Sequence, residues 1–373
     1  MAKIQRTFPT GGPVPADDLV GREDMLRDLF ARTFEHGNSV LLTGPRQVGK
    51  TSVADELLRR VRKAGGWGVY IDCSRTTGEE EDLARLIARA TYDDVSGVQG
   101  AFARLREIIS GAPKPVLYKA DVDLALTFHG GEKQPSSVLL ERSLALADDL
   151  ALQKDKRCVV VYDEFSELRR VSPTIYTRVR ATLQHSMTNT AYVFMGSETG
   201  VLEHLFKDPQ QMPFGLAVPL TIETPDPTDW RRYIEQRFSR LRVPLRPGEA
   251  DELIAFTGSH PRDLMEACEH LLTIRSLNPE ADAAVRLAQS KTMSSLLVKF
   301  DELWRRVDEP AGIHATLVRL AAGQPVYGRG RPKTSVARTL ERLEDEGIIR
   351  RVGRGAYEFT EPLFARYVRD MHA

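Results

Sequence analysis

Cysteine is scarce in this chain. The three present, Cys73, Cys158 and Cys268, are far apart and odd in number, which argues against a disulfide framework or a cysteine zinc site. Long apolar runs are missing too: no stretch of roughly 18 apolar residues occurs, so no membrane-spanning helix is expected. The first residues, Met1-Ala2-Lys3-Ile4-Gln5-Arg6, lack the apolar segment of a signal peptide. Neither sign of charge dominates, with 52 Lys+Arg against 52 Asp+Glu, so there is no global field to draw in nucleic acid, although a local basic patch remains open. Repeats and low-complexity tracts are absent, and the 27 Gly and 21 Pro are dispersed, which argues against fibrous and disordered classes. The eight His show no HExxH or paired metal spacing. These absences leave the expectation of a cytosolic, soluble protein, whose 373 residues suggest two or three domains at about 100–200 residues each.

Short apolar runs alternate with amphipathic helical patterns over residues 1–224. The runs are Ser39–Thr43, Trp67–Ile71, Cys158–Tyr162, Ala191–Met195 and Ala217–Ile222. This is the pattern of a parallel sheet covered on both faces by helices, an α/β fold. Val53, Leu57, Leu58 and Val61 make one helix face. From Val116 to Phe128 apolar residues alternate with mostly polar ones, which predicts an inserted extended strand or hairpin. From Pro225 the chain turns helical, and residues 225–307 read as a small helical domain. Residues 308–373 fit a winged helix, with Val336, Leu340 and Leu343 on one helix face, Gly347 as its cap, and a hairpin turning at Gly353-Arg354-Gly355.

Gly44-Pro45-Arg46-Gln47-Val48-Gly49-Lys50-Thr51, followed by Ser52, matches G-x-x-x-x-G-K-[ST] between a predicted strand and a predicted helix. Backbone N–H groups of such a loop, aided by the helix N-terminus, form an electropositive nest for phosphates. Lys50 is expected to reach the β- and γ-phosphates, and Thr51 to offer its hydroxyl to Mg²⁺. A second motif, Val159-Val160-Val161-Tyr162-Asp163-Glu164, is a buried strand ending in two acids. Alternation along a strand would send their carboxylates to different partners. Asp163 is expected to hold Mg²⁺, through water, and Glu164 to polarise the attacking water as general base. ATP and ADP with Mg²⁺ are the implied ligands.

These motifs, in this order, resemble the AAA+ superfamily, and more narrowly the archaeal-type ATPases of the STAND clade. Leu19-Val20-Gly21-Arg22-Glu23 is similar to that family's upstream box, which implies that Val20, Gly21 and Arg22 lie against the adenine. Tyr162-Asp163-Glu164-Phe165 resembles its acidic strand. Met195-Gly196-Ser197 ends the next strand at the sensor-1 position, implying that Ser197 senses the γ-phosphate. Thr257-Gly258-Ser259-His260-Pro261-Arg262 resembles the lid element whose proline, here Pro261, approaches the nucleotide. One departure is Met212-Pro213-Phe214-Gly215-Leu216, where relatives carry an arginine in place of Leu216. Arg178 and Arg180 are then alternative candidates for stabilising transition-state charge, with a surface ion-pair role as the competing reading. Without a clear arginine finger, slow switch-like turnover fits better than ring-type action.

The C-terminal stretch from 311 on carries 11 Lys+Arg and 7 Asp+Glu. Candidate duplex DNA contacts are Arg338 on the predicted recognition helix and Arg350, Arg351 and Arg354 on the wing. Arg329, Arg331 and Lys333 join them, in a Gly328–Lys333 segment that resembles an AT-hook core. Acids at 341, 344, 345 and 346 disfavour laying the whole helix in a groove. The alternative is a regulatory switch whose winged helix binds its own core or a protein partner and not DNA; a homo-oligomer is a further candidate partner, and no membrane contact is expected.

Overall fold

The structure, a computed structural model, describes residues 7–95, 135–207, 216–307, 312–327 and 332–372. The described residues fall into two compact units. One comprises residues 23–43 and 53–221; the other comprises the segment up to Arg22, residues 44–52, and everything from Ile222 onward.

The first unit is built on five parallel strands, β1 (Val40–Thr43), β2 (Trp67–Asp72), β3 (Cys158–Asp163), β4 (Thr190–Met195) and β5 (Val218–Thr221), in the order β2-β3-β4-β1-β5. Every apolar run expected to be a strand is one, to within a residue at either end. Strand β3 is buried along its whole length, as a central parallel strand must be. Its Val160 and Tyr162 share a cluster with Val69, Ile71, Tyr192 and Phe194. Helices α3 (Glu80–Val95), α4 (Ser136–Gln153), α5 (Ile175–Leu183) and α6 (Thr199–Lys207) cover that face with Ile87, Leu144, Val179 and Leu202. Val159 and Val161 point to the opposite face and are equally buried. Helix α1 (Glu23–Phe30) buries Leu26 and Leu29. Helix α2 (Lys50–Lys63) buries the expected stripe Val53, Leu57, Leu58 and Val61, and approaches β2 closely at Gly68, where a Cβ would lie 3.1 Å from Leu58.

The second unit is mostly helical. Helix α7 (Pro227–Leu241) starts on Asp226, whose carboxylate accepts from Thr228 N at 2.7 Å. Helices α8 (Glu249–Thr257), α9 (Pro261–Leu277) and α10 (Ala284–Arg306) follow. Trp230, Ile234, Phe238, Leu264 and Leu271 form their core, and Phe8 from the N-terminal segment packs into it against Phe238. A further cluster joins Leu296 and Phe300, late in α10, to helices α11 (Ile313–Ala321), α12 (Lys333–Asp345) and α13 (Pro362–His372). Strands β6 (Ile349–Gly353) and β7 (Ala356–Phe359) pair as an antiparallel hairpin between α12 and α13. Gly347, with φ +68°, ends α12 as expected, while α13 is an addition to the elements expected from the sequence. The expected strand at 116–128, the 212–215 element and residues 328–331 of the basic segment lie outside the described residues.

Candidate functional site

Parallel topology puts the C-terminal ends of β1, β3 and β4 at one edge of the sheet. The phosphate-type loop begins at Gly44, immediately after β1, and ends where Lys50 opens α2. Gly44 has φ +148°, and a Cβ there would stand 2.4 Å from both the carbonyl oxygen and a side-chain carbon of Ile222, so only glycine fits. The buried Lys50 ammonium donates to the carbonyls of Gly44 at 2.7 Å and Pro45 at 2.8 Å. No acid sits in the first turn of α2, which leaves the positive end of the helix unopposed at the loop. Ser52, the third residue of that helix, accepts from Val14 N at 3.1 Å.

The loop's tip is held by donors from elsewhere in the same unit at three successive residues. Arg22 donates to Val48 O at 3.1 Å. Its guanidinium is buried, and burial lowers its pKa to about 10. The assigned neighbours Val20 and Gly21 lie beside the helical core, Gly21 close against Pro225 and Asp229. His260 Nε2 lies 3.0 Å from Arg46 O, and Lys299 Nζ donates to Gln47 Oε1 at 2.9 Å. Gln47 itself takes a left-handed conformation with φ 58°. Val48, like Arg22, is buried.

Pro261, the lid proline singled out in the sequence, occupies the first turn of α9, and His260 is its N-cap. The ring of His260 is fully buried, with Nδ1 3.2 Å from Asp263 Oδ2. Both ring nitrogens therefore face acceptor oxygens, with Nε2 hydrogen-bonded to the loop and Nδ1 in an ion-pair contact with Asp263. Burial works against charge on both partners, but their attraction wins: His260 rises above its ordinary 6.5 and Asp263 falls below its ordinary 3.8.

The acidic pair sits at the end of β3. Asp163 is buried; its Oδ2 accepts from Tyr70 OH at 2.6 Å and its Oδ1 from Glu164 N at 2.8 Å. Burial first, then the neighbouring Asp163, pushes the Tyr70 phenol far up, so it stays a protonated donor. Glu164 Oε2 accepts from both the N–H and the hydroxyl of Ser197, each at 2.9 Å. The two carboxylates do serve different partners, but not through strand alternation. The strand ends at Asp163, and Glu164 adopts φ 48°, ψ 43°, turning its side chain toward the end of β4.

Among the remaining candidates, Arg178 on α5 forms an ion pair with Glu80, while Arg180 is half-buried on the same helix. Leu216 is buried against the sheet cluster. Arg350 pairs with Glu358 across the hairpin, and Arg351 Nε donates to Gly353 O at 3.2 Å. Lys333, Arg338 and Arg354 are exposed; Arg329 and Arg331 lie outside the described residues. Arg342 neutralises Glu346 at 2.9 Å, one of the acids that weighed against groove binding. Sequence reasoning did not single out Tyr70, Asp163's donor, or Lys299. It treated His260 only as part of a lid motif.

Residues 18–193 match the AAA ATPase domain family model. No curated protein matches the sequence. Among solved structures, the Walker-type ATPase PABY2304 of Pyrococcus abyssi superposes with a TM-score of 0.70 at 19% identity, covering 98% of this chain and 100% of that one. The ORC2 protein of Aeropyrum pernix, solved as ADPNP and ADP complexes, gives 0.62 at 15% identity over 99% of this chain and 96% of its own. Residues 18–193 thus resemble an AAA ATPase domain, and the chain shares its fold with the Walker-type ATPase of Pyrococcus abyssi and the ORC2 protein of Aeropyrum pernix.

Proposed function

We propose that this chain binds ATP in the Gly44–Ser52 loop and hydrolyses it slowly, as a switch. The observation that carries the reading is a Lys50-bearing phosphate loop in a chain whose β3 ends in Asp163 and Glu164, each with its own hydrogen-bond donor. The nucleotide class is supported by the ORC2 relative, whose structure holds ADPNP and ADP. In this reading loop N–H groups and Lys50 carry the phosphates, and Glu164 accepts the proton of the attacking water. Ser197 fixes Oε2 of Glu164 and so sets where Oε1 points.

In this reading Thr51 and Asp163 would each offer a hard oxygen, a donor type that suits Mg²⁺ rather than a softer ion. Among the described residues no group of three or more His, Cys, Asp or Glu forms a metal cage. A magnesium bound chiefly through phosphates and waters does not need one. When bound, Mg²⁺ supplies neutralisation of phosphate charge.

The C-terminal helices and hairpin are read as a winged helix that contacts duplex DNA through exposed Lys333, Arg338, Arg351 and Arg354. The second reading, in which this module serves its own core, is supported by its packing on α8. A Cβ at Gly258 would stand 2.7 Å from Pro362, and Arg366 lies 5.0 Å over the Phe256 ring. Among the described residues no helix is long and apolar enough to cross a membrane.

Steady-state ATP hydrolysis, with and without duplex DNA at two salt concentrations, tests both readings. Stimulation that fades with salt supports DNA coupling, and slow turnover indifferent to DNA supports the self-contained switch. Lys50→Ala should abolish ATP binding, and undiminished affinity in that variant would remove the assigned site. Glu164→Gln should keep binding and lose turnover.

A further inference from the structure

The tip of the phosphate loop is gripped at Arg46, Gln47 and Val48 by His260, Lys299 and Arg22. Two of these grips, one buried and one part-buried, are local in purpose. Arg22 ends on the loop carbonyl, and His260 is matched by Asp263 on its own helix. Lys299 differs. It projects from the part of α10 that packs with the C-terminal helices, and its ammonium bonds two groups at once, Gln47 Oε1 on the loop and the Glu361 carboxylate. Glu361 is buried and immediately precedes Pro362, the first residue of α13, whose first turn uses its carbonyl as acceptor.

We infer that Lys299 is a positioning residue that couples the phosphate loop to the C-terminal module, so that the Lys299–Glu361 pair sets the rate at which nucleoside diphosphate leaves. The inference rests on the loop being the nucleotide site. Three arguments carry it. Gln47 is a non-glycine residue in left-handed backbone, a conformation that persists only where surrounding contacts over-determine it. The Lys299 bond is one such contact, made from outside the loop. A lysine shared between an amide oxygen and a carboxylate transmits a change at either one, since moving Glu361 repositions the ammonium that steadies Gln47. Finally, the bond is partly exposed, with the Lys299 side chain at 31% accessibility, so it can break without unfolding the core.

The test uses the full chain and a fluorescent (mant) ADP, with dissociation followed after chase by unlabelled ADP. Lys299→Met should raise the dissociation rate about fivefold, the scale of one partly exposed charge-assisted hydrogen bond. Gln47→Ala should do the same, and Lys299→Arg should restore a rate near that of the parent. Glu361→Gln should change the rate in the parent but add nothing in the Lys299→Met background. An unchanged rate in Lys299→Met, or an undiminished Glu361→Gln effect in that background, overturns the coupling. Failure of the parent chain to bind mant-ADP at all is a different result: it removes the nucleotide site itself.

Discussion

At the scale of single residues, two hydrogen bonds decide how the acids are presented. Asp163 is buried, and the Tyr70 hydroxyl supplies one of its donors. Tyr70→Phe removes that donor while keeping the ring. It should cost roughly 1–3 kcal/mol, and at about 2–4 °C per kcal/mol for a domain of this size the loss is readable in a thermal melt. Ser197→Ala removes the hydroxyl half of the Glu164 clamp and leaves the N–H half. Its expected signature is a lower kcat with nucleotide affinity intact; weakened binding instead would make Ser197 a ligand contact rather than a guide for the base.

His260 provides a pH readout at the same scale. Its folded pKa lies above the ordinary 6.5, so its contribution is fully present below that value and is lost as pH rises through the folded one. The groups responsible are Asp263 on its own helix, Glu361 before α13 and the Arg46 carbonyl of the loop, with Lys299 and Arg262 acting on Asp263. The melting temperature of the parent should therefore fall, as pH rises above the ordinary histidine range, more steeply than that of His260→Asn. Parallel profiles would mean that His260 does not hold a proton in the folded chain.

At the scale of elements, the junction from β1 to α2 is the least forgiving. Gly44→Ala places a methyl group 2.4 Å from the Ile222 carbonyl oxygen, at a φ that L side chains rarely adopt. The variant should lose nucleotide binding, and retained binding would show that the loop can be rebuilt around a bulkier residue. This junction was legible from the sequence because local chemistry dictates it: a phosphate-cradling turn needs glycine, lysine and a hydroxyl at fixed short spacings. The strands were legible for a related reason, since strands buried on both faces must be continuous apolar runs such as Val159–Val161. The turn at Glu164 was not legible, because alternation presumes that the strand continues, and here it stops one residue earlier. Nor were the grips on the loop. The His260 and Lys299 contacts join residues 214 and 252 positions apart, and no local period encodes such pairs. Tyr70 was hidden differently: nothing in the motif around Asp163 says that the neighbouring strand will supply its donor.

At the scale of the whole molecule, equal numbers of acidic and basic residues mean that any DNA affinity must come from local charge. On the hairpin that charge is uneven. Arg350 is already paired with Glu358, whereas Arg354 stands exposed on the turn. Arg354→Ala should therefore weaken duplex binding more than Arg350→Ala, and removing one neutralised phosphate should lower the logarithmic salt slope by about 0.9. Equal losses would mean that Glu358 does not shield Arg350 from DNA, whereas no loss in either variant would favour the reading in which the module never meets DNA.

The placement of Phe8 bears on how the chain is made. Its ring packs against Phe238, and its backbone N–H donates to Glu269, 261 positions further on. On a ribosome the N-terminal segment emerges first, so this aromatic waits through synthesis of the whole parallel sheet before its partners exist. The helical core itself is built from residues 230 onward, so Phe8 has no place to pack until they are made. A nascent chain stalled before Trp230 offers Phe8 no native pocket, and during that interval a chaperone could recognise it.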